Sequence, residues 1–178
     1  MHSFSTLYEA KLLKRYKRFL ADVIFKNGEK KTVYCPNPGS MLGLTKKNTK
    51  IWLEKSQNKK SKYNYIWRLV ENDNGELICI DTQIANKVIK ESLLKRDIPE
   101  LNYYQKTISE PQIDKGSRLD FLLKSQDDES CFVEVKSVTL SRLQDISEFP
   151  DSVTLRGSKH LSLLARLKIE GFRTIQIY

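Results

Sequence analysis

The chain has 178 residues, of which 39% are hydrophobic and 10% aromatic, so it has enough apolar side chains for one ordinary domain or two small ones. Its seven glycines and five prolines exclude a low-complexity class, and no run of about 18 apolar residues predicts a membrane span. The start of the chain lacks the apolar core of a secretory signal, and three widely spaced cysteines indicate neither a disulfide framework nor a metal site. We therefore expect a cytoplasmic protein with no membrane partner.

The net charge of +9 is unevenly distributed along the chain. Residues 1–69 contain 16 Lys and Arg against 4 Asp and Glu, whereas residues 70–178 contain 15 against 18, so the two parts carry +12 and −3. A lysine-rich proteome would explain an even excess but not this asymmetry. The N-terminal part is predicted to bind a polyanion, and nucleic acid is favoured over lipid because no long basic amphipathic helix is evident.

About five short strands are predicted in the first 83 residues. They are bounded by turn signals such as Asn27-Gly28 and the proline-rich segment 36–40, and they lie at 18–25, 31–35, 49–55, 63–71 and 77–82. This spacing favours a small Greek-key barrel such as an OB-fold, which binds single strands through a basic groove and exposed aromatic rings. We expect the loop residues Lys59, Lys60 and Lys62 to contact nucleic acid. At most two aromatic residues should face a ligand; the candidates are Tyr34, Trp52, Tyr63, Tyr65 and Trp67.

Residues 84–178 are predicted to form an α/β sandwich as a second domain. Its helices are expected at 86–95 and 158–170, the second with Ser158 as N-cap and Gly171 just past its end. An acidic and polar loop through Ser147 precedes that helix. The predicted strands lie at 103–109, 117–123, 131–136 and 174–178.

Three charged residues interrupt the two middle strands of this domain. Asp120 lies in one strand, and Glu134 and Lys136 lie in the next, across the polar turn 125–129. Buried carboxylates are costly unless they pair or bind, and strand-borne oxygen ligands suit Mg²⁺. On these residues alone, a solvated cross-strand charge ladder is slightly favoured over a metal site.

Longer motifs shift that balance. Segments 35–41, 117–122, 132–140 and 149–161 resemble the sugar fermentation stimulation protein A family over essentially the whole chain. The resemblance implies an N-terminal OB-like β-barrel at 1–83 and a PD-(D/E)xK nuclease-like α/β sandwich at 84–178. It also implies DNA binding and a link to the regulation of sugar (maltose) genes.

The resemblance assigns roles residue by residue. Asp120, Glu134 and Lys136 match the catalytic core, in which Asp120, Glu134 and the Val135 carbonyl would hold Mg²⁺ or Mn²⁺ and Lys136 would position a water or the phosphate. Further nucleic-acid contacts are expected from residues near the core or near a helix N-terminus, where a phosphate could bind: Arg118, Arg156, Lys159 and His160. A solvated lysine and a packed histidine remain equal alternatives for the last two.

Two departures from the family leave the function open. Pro38-Gly39 stands where the family usually has Thr-Gly, and family members continue well beyond the point that matches Gly171. We expect a shortened chain that is marginally stable or forms a homodimer through a core strand carrying Ile175, Ile177 and Tyr178. An intact triad favours a metal-dependent nuclease, whereas the shorter end favours a DNA-binding regulator that does not cleave.

Overall fold

The chain folds into two compact units. The structure is a computed structural model that describes residues 3–143, 146–150 and 153–178. One unit consists of residues 3–84 with the described part of segment 138–152, and the other of residues 85–137 and 153–178. The predicted boundary between residues 83 and 84 lies one residue before the change of unit between residues 84 and 85, and segment 138–152 groups with the N-terminal unit.

The N-terminal unit is a closed β-barrel. Its strands are β1 (Leu7–Tyr16), β2 (Leu20–Phe25), β3 (Lys30–Tyr34), β4 (Lys50–Lys55), β5 (Tyr65–Glu71) and β6 (Leu77–Cys79). They are ordered β3-β2-β1-β4-β5-β6, and a parallel pairing of Tyr34 with Ile66 joins β3 to β5 and closes five strands into a ring. The OB-like barrel predicted from the sequence is confirmed.

The longest barrel strand, β1, was not among the predicted strands. It pairs with β2 on one side and β4 on the other, so it is central to the barrel. Its register shifts between Leu12 and Lys14, and this irregularity breaks the alternation of apolar and polar residues that marks a strand. Leu12 is fully buried in the barrel core, together with Val23, Leu53 and Trp67.

The second unit is a four-stranded sheet with one helix on each face. Its strands β7 (Lys106–Ser109), β10 (Phe121–Lys124), β11 (Ser130–Val135) and β14 (Arg173–Ile177) are ordered β14-β11-β10-β7. The chain reaches this sheet through helix α1 (Thr82–Lys95) and a short 3₁₀ turn (Pro99–Leu101). Helix α2 (Leu155–Ile169) precedes β14. The predicted α/β sandwich is confirmed.

Each helix packs on its own apolar cluster. Side chains of α1, among them Ile89 and Leu93, pack against a face of the sheet that includes Val133. Leu163, Leu164 and Leu167 of α2 pack against the other face, around Phe132. Since alternate residues of a strand point to opposite faces, β11 contributes to both clusters.

Both helices begin earlier than predicted. Helix α1 starts at Thr82, where Asp81 Oδ1 accepts the N–H of Gln83 at 3.0 Å. Helix α2 is capped by Thr154, whose side chain accepts from Gly157 N at 3.3 Å, so the assignment of the cap to Ser158 is wrong. A threonine in the extended conformation satisfies an N-terminal amide as well as a serine does.

The end of α2 follows the prediction. Gly171 has φ of +94° directly after the C-cap residue. Its N–H donates to Lys168 O and that of Phe172 to Leu167 O, which is the pair of bonds that defines a Schellman motif. Phe172 also packs edge-on against Phe132 and so fixes the turn into β14.

The structure contains two short hairpins that were not predicted from the sequence. Strands β8 (Gln112–Asp114) and β9 (Ser117–Arg118) pair just before β10. The predicted loop through Ser147 instead contains β12 (Leu140–Leu143) and β13 (Ile146–Glu148), a pair with a register shift. Residues 144–145 of that loop and residues 151–152 of the motif 149–161 lie outside the described residues.

The last strand joins the sheet as predicted. β14 runs parallel to β11, and Ile175 and Ile177 pack against the α1-side cluster. Tyr178 is 65% exposed, so its expected place in the core is wrong. None of the described helices combines the length and apolar character needed to cross a membrane.

Candidate functional site

The predicted triad lies where strands β10 and β11 separate. Their antiparallel register runs from Lys124 opposite Ser130 to Phe121 opposite Val133, and Asp120 and Glu134 are the next residues beyond this last pair. The ladder stops before them, and the Val135 N–H instead donates to Asp120 Oδ2 at 2.7 Å. The Asp120 side chain thus takes the position of a ladder acceptor, which holds it beside the Glu134–Val135 segment.

Glu134 is buried on the α2 side of the sheet. It shares a face with Phe132, and only 2% of its surface is exposed. Its Oε1 contacts both Lys136 Nζ and His160 Nδ1. Its Oε2 is buried and has no hydrogen-bond partner among the described residues. A buried carboxylate oxygen without a donor is costly, so this position favours a ligand that accepts its lone pairs.

Asp120 is held by two amide donors. Oδ1 accepts from Asn86 Nδ2 on α1 at 2.7 Å, and Oδ2 accepts from Val135 N. Burial raises the pKa of Asp120 and the negative charge of Glu134 raises it further, while the two hydrogen bonds and the Lys136 charge act in the opposite direction. Two carboxylates therefore lie close enough to destabilise each other's charge.

Lys136 is positioned by its backbone and by Glu134. Its N–H donates to Ile177 O at 2.8 Å, so the edge strand β14 fixes the backbone at the end of β11. Its ammonium forms an ion pair with Glu134, and its side chain is only 15% exposed. The sequence-predicted acid, acid and lysine thus form one connected cluster.

The metal-binding capacity of this cluster comes from oxygen ligands. Among the described residues, no group of three or more His, Cys, Asp and Glu side chains is placed to hold a metal ion. Asp120 and Glu134 provide two carboxylates, and a third protein ligand would have to be a backbone oxygen such as the Val135 carbonyl. Hard divalent cations bind such a mixture of carboxylate and carbonyl oxygens. Glu134 Oε2, which has no hydrogen-bond partner among the described residues, could serve as one of these ligands.

A basic cleft lies along the N-terminal part of helix α2. It has a volume of about 450 Å³ and is lined by Gly116, Ser117, Arg118, Leu155, Arg156, Lys159 and His160. The structure therefore brings together all four residues that were predicted to bind nucleic acid near the core. Arg118 is 65% exposed and lies 3.7 Å from an exposed Glu110 carboxylate, so its charge is only weakly compensated.

His160 has a different environment from its three neighbours. Only 7% of its surface is exposed, and it contacts Glu134 with Nδ1, so it belongs to the carboxylate cluster as well as to the cleft. A carboxylate only accepts hydrogen bonds, so Nδ1 carries the proton in this contact. Neither this role of His160 nor that of Asn86 was predicted. A histidine six residues into α2 carries no signal in the sequence that would identify its partner on another element.

The predicted lysines of the barrel lie in the loop between β4 and β5. Lys59, Lys60 and Lys62 are all exposed there, in the N-terminal unit. Of the five aromatic residues proposed to face a ligand, Trp67 is fully buried and Tyr65 packs against the core. Tyr34 is half-buried and stacks on Phe19.

Comparison with known families divides the chain at a similar place. The family described as "Sugar fermentation stimulation protein RE domain" matches residues 83–178, and "SfsA N-terminal OB domain" matches residues 13–80.

Individual relatives match nearly the whole chain. A sugar fermentation stimulation protein homolog of Ruegeria pomeroyi is 46% identical over 174 residues, which cover 98% of this chain and 76% of the relative. The homolog of Psychromonas ingrahamii is 41% identical over 180 residues, with 98% and 78% covered. The structure of Pyrococcus furiosus SfsA in complex with Ca²⁺ superposes with a TM-score of 0.87 at 27% identity, covering 98% of this chain and 73% of that one.

Proposed function

Because the chain belongs to the sugar fermentation stimulation protein family, we propose that it binds DNA and carries a metal-dependent phosphodiesterase site at Asp120, Glu134 and Lys136. The observation that carries this proposal is the junction of the buried Glu134 carboxylate, the half-buried Asp120 carboxylate and a lysine at the end of one hairpin, with Glu134 Oε2 left without a partner among the described residues. A solvated charge ladder does not account for that burial, since exposed ion pairs do not need to leave water.

The proposed cofactor is Mg²⁺ or Mn²⁺. Asp120, Glu134 and the Val135 carbonyl would hold the ion, which when bound polarises a phosphate oxygen and lowers the pKa of a bound water. The Pyrococcus furiosus relative was solved in complex with Ca²⁺, another cation that binds oxygen ligands, and this supports a divalent cation here.

The protein groups around this site have separable tasks. Lys136 offsets one of the two negative charges and carries ammonium protons that would orient a water or a phosphate oxygen. His160 and Lys136 both occupy Glu134 Oε1, which leaves Oε2 for the ligand. Asn86 and Val135 fix the two oxygens of Asp120. Such fixed donors reduce the reorganisation that a charged transition state would otherwise require.

DNA binding is proposed to use two basic surfaces. The cleft that contains Arg118, Arg156 and Lys159 adjoins the carboxylate cluster through His160, so a phosphate there would lie near the reacting bond. The second surface is the exposed lysine loop of the barrel at residues 59–62. Phosphate contacts of this kind give affinity without sequence preference.

A second candidate function is a DNA-binding regulator of sugar (maltose) genes that does not cleave. One observation favours it: among the described residues, two acidic side chains converge, and no group of three His, Cys, Asp and Glu side chains could hold a metal. The names of the curated relatives, which refer to stimulation of sugar fermentation, are compatible with either candidate.

The test is incubation with end-labelled single-stranded and duplex DNA in Mg²⁺, Mn²⁺ or EDTA. We expect cleavage by the natural chain in either metal, none in EDTA, and none by Glu134→Gln or Lys136→Ala, with DNA still bound. DNA binding without cleavage under every condition would support the regulator instead. Cleavage that persists in Glu134→Gln would contradict the proposed site.

A further inference from the structure

The turn between barrel strands β1 and β2 has an unusual backbone for its sequence. It consists of Lys17, Arg18 and Phe19, and the first two have φ of 49° and 60°. Left-handed φ values are unfavourable for residues with a long side chain, and hairpin turns that need them normally use Asn and Gly. The turn therefore keeps two long cationic side chains at positions where Asn and Gly would be less strained.

The strained turn is held in place from the neighbouring segment. Arg15 donates to the Arg18 carbonyl through Nε at 3.2 Å and Nη2 at 2.8 Å, and also to the carbonyls of Asn37 and Gly39. The Phe19 carbonyl accepts from Cys35 N at 2.8 Å. These bonds order the turn before any ligand arrives, which lowers the entropy cost of binding.

An exposed aromatic ring follows the strained residues. Phe19 is 42% exposed, and its ring stacks nearly parallel on Tyr34, with centroids 6.3 Å apart and an interplanar angle of 14°. A single exposed apolar residue is ordinary on a protein surface. Here, however, the ring stacks on a second aromatic ring and directly follows two exposed cationic residues in the same tight turn. The turn therefore forms an aromatic platform that carries positive charge.

The charge at this platform is not compensated locally. Lys17 and Arg18 are exposed, and in the described part of the chain neither has an ion-pair partner. The guanidinium of Arg15 binds carbonyl oxygens, which leave its charge in place. The turn therefore joins one exposed ring to uncompensated cations at the two preceding positions. This combination suits a single strand, in which phosphates alternate with flat bases.

We propose that the turn formed by Lys17, Arg18 and Phe19 is a binding site for single-stranded nucleic acid. An unpaired base stacks on Phe19, and the phosphates on either side of it contact Lys17 and Arg18. A duplex does not satisfy this site, because the faces of its bases are already stacked on one another. The inference rests on the proposed nucleic-acid binding, but it does not depend on cleavage or on a metal ion.

Fluorescence anisotropy in EDTA tests the ring. The probes are a labelled oligothymidylate, its duplex with oligoadenylate, and the corresponding RNA, and the variants are Phe19→Leu, Phe19→Trp and the control Leu77→Ala, which alters another barrel residue that is 54% exposed. Loss of one stacked base should weaken single-strand binding about tenfold in Phe19→Leu. Phe19→Trp and Leu77→Ala should bind as the natural chain does, and duplex affinity should not change.

A second variant tests the strain. Lys17→Asn/Arg18→Gly suits the observed φ values, so it should raise the melting temperature while it weakens single-strand binding. A higher melting temperature with unchanged single-strand affinity would overturn the inference, as would an effect of Phe19→Leu on duplex and single strand alike. A natural chain that binds duplex and not single strands overturns this inference alone. A natural chain that binds no nucleic acid overturns the proposed function with it.

Discussion

His160 Nδ1 and Lys136 Nζ share one oxygen of Glu134, and this leaves the other oxygen of that carboxylate buried and without a donor among the described residues. His160 comes from the second turn of α2 and Glu134 from the end of β11, so the contact ties the helix to the carboxylate cluster. A metal ligand is commonly oriented by such an outer partner. We therefore assign His160 to positioning Glu134.

Replacing His160 should weaken divalent-cation binding. We expect His160→Ala to lower Mn²⁺ affinity about tenfold, since outer-shell substitutions commonly cost 10–100-fold. His160→Asn should restore most of it, because its amide nitrogen takes the place of Nδ1, and His160→Gln should not. Titration calorimetry with Mn²⁺ measures this. If His160→Ala instead lowers DNA affinity in EDTA and leaves Mn²⁺ affinity unchanged, His160 is a nucleic-acid contact as the sequence suggested.

Asp120→Asn should stabilise the protein at neutral pH in the absence of metal. It removes a half-buried charge that lies beside Glu134, and Asn86 can turn its amide so that its oxygen accepts from the new amide group. A gain of about 1 kcal/mol in the free energy of unfolding is expected, because functional sites often sacrifice stability. For a chain of this size, that gain corresponds to a rise of about 2–4 °C in melting temperature. The same variant should lose any stabilisation by Mn²⁺.

The gain in stability of Asp120→Asn over the natural chain should grow as the pH rises. The pKa of Asp120 is raised in the folded chain, so the folded chain holds this proton more tightly than the unfolded chain does. The stability of the natural chain therefore falls as pH rises from the ordinary Asp pKa of about 3.9 through the raised value. Below that interval the two proteins should be equally stable. An Asp120→Asn gain that is constant from pH 3 to pH 8 would contradict this origin.

The barrel lysines should contribute salt-dependent affinity. The triple change of Lys59, Lys60 and Lys62 to Ala should reduce the slope of log affinity against log salt by about 2–3, at roughly 0.7–0.9 per phosphate contact. Cleavage per bound complex should not change. A charge-matched control replaces three exposed helix lysines, Lys87, Lys90 and Lys168. An equal loss of slope in that control would show that net charge alone, and not this loop, sets the affinity.

Thr154→Ala should destabilise helix α2. The change removes the hydroxyl that accepts from Gly157 N and is expected to cost about 1 kcal/mol, whereas Thr154→Ser keeps the cap. Loss of the cap should appear as faster hydrogen exchange in the first turns of α2. These turns carry Arg156, Lys159 and His160, so the same change should loosen the basic cleft. Urea denaturation of the three proteins measures the cost. Equal stability of Thr154→Ala and Thr154→Ser would show that the hydroxyl contributes nothing.

The structural features that depend on a local sequence pattern could be predicted from the sequence. The two runs 117–123 and 131–136, rich in strand-forming residues, flank a polar turn and so indicate the hairpin that brings Asp120 and Glu134 together. Gly171 marks the end of α2 for a similar reason, since it takes a backbone conformation that other residues avoid.

Features set by contacts distant in sequence were not predictable in this way. Strand β1 is irregular at Leu12, and only its pairing with both β2 and β4 identifies it as a strand. Asn86 and His160 reach the site across 34 and 26 residues of sequence, respectively. The strain at Lys17 and Arg18 is a property of the barrel turn and not of its composition, which contains no glycine.

Calorimetric titration of Mn²⁺ into the natural chain, Asp120→Ala and Glu134→Ala tests the central claim most directly. The exposed acid Glu110 provides the matched control, Glu110→Ala. We predict that the natural chain and Glu110→Ala bind Mn²⁺ with equal affinity, and that both cluster variants remain folded by circular dichroism and lose this binding. Mn²⁺ binding by Asp120→Ala and Glu134→Ala that equals binding by the natural chain would show that these carboxylates do not form the metal site.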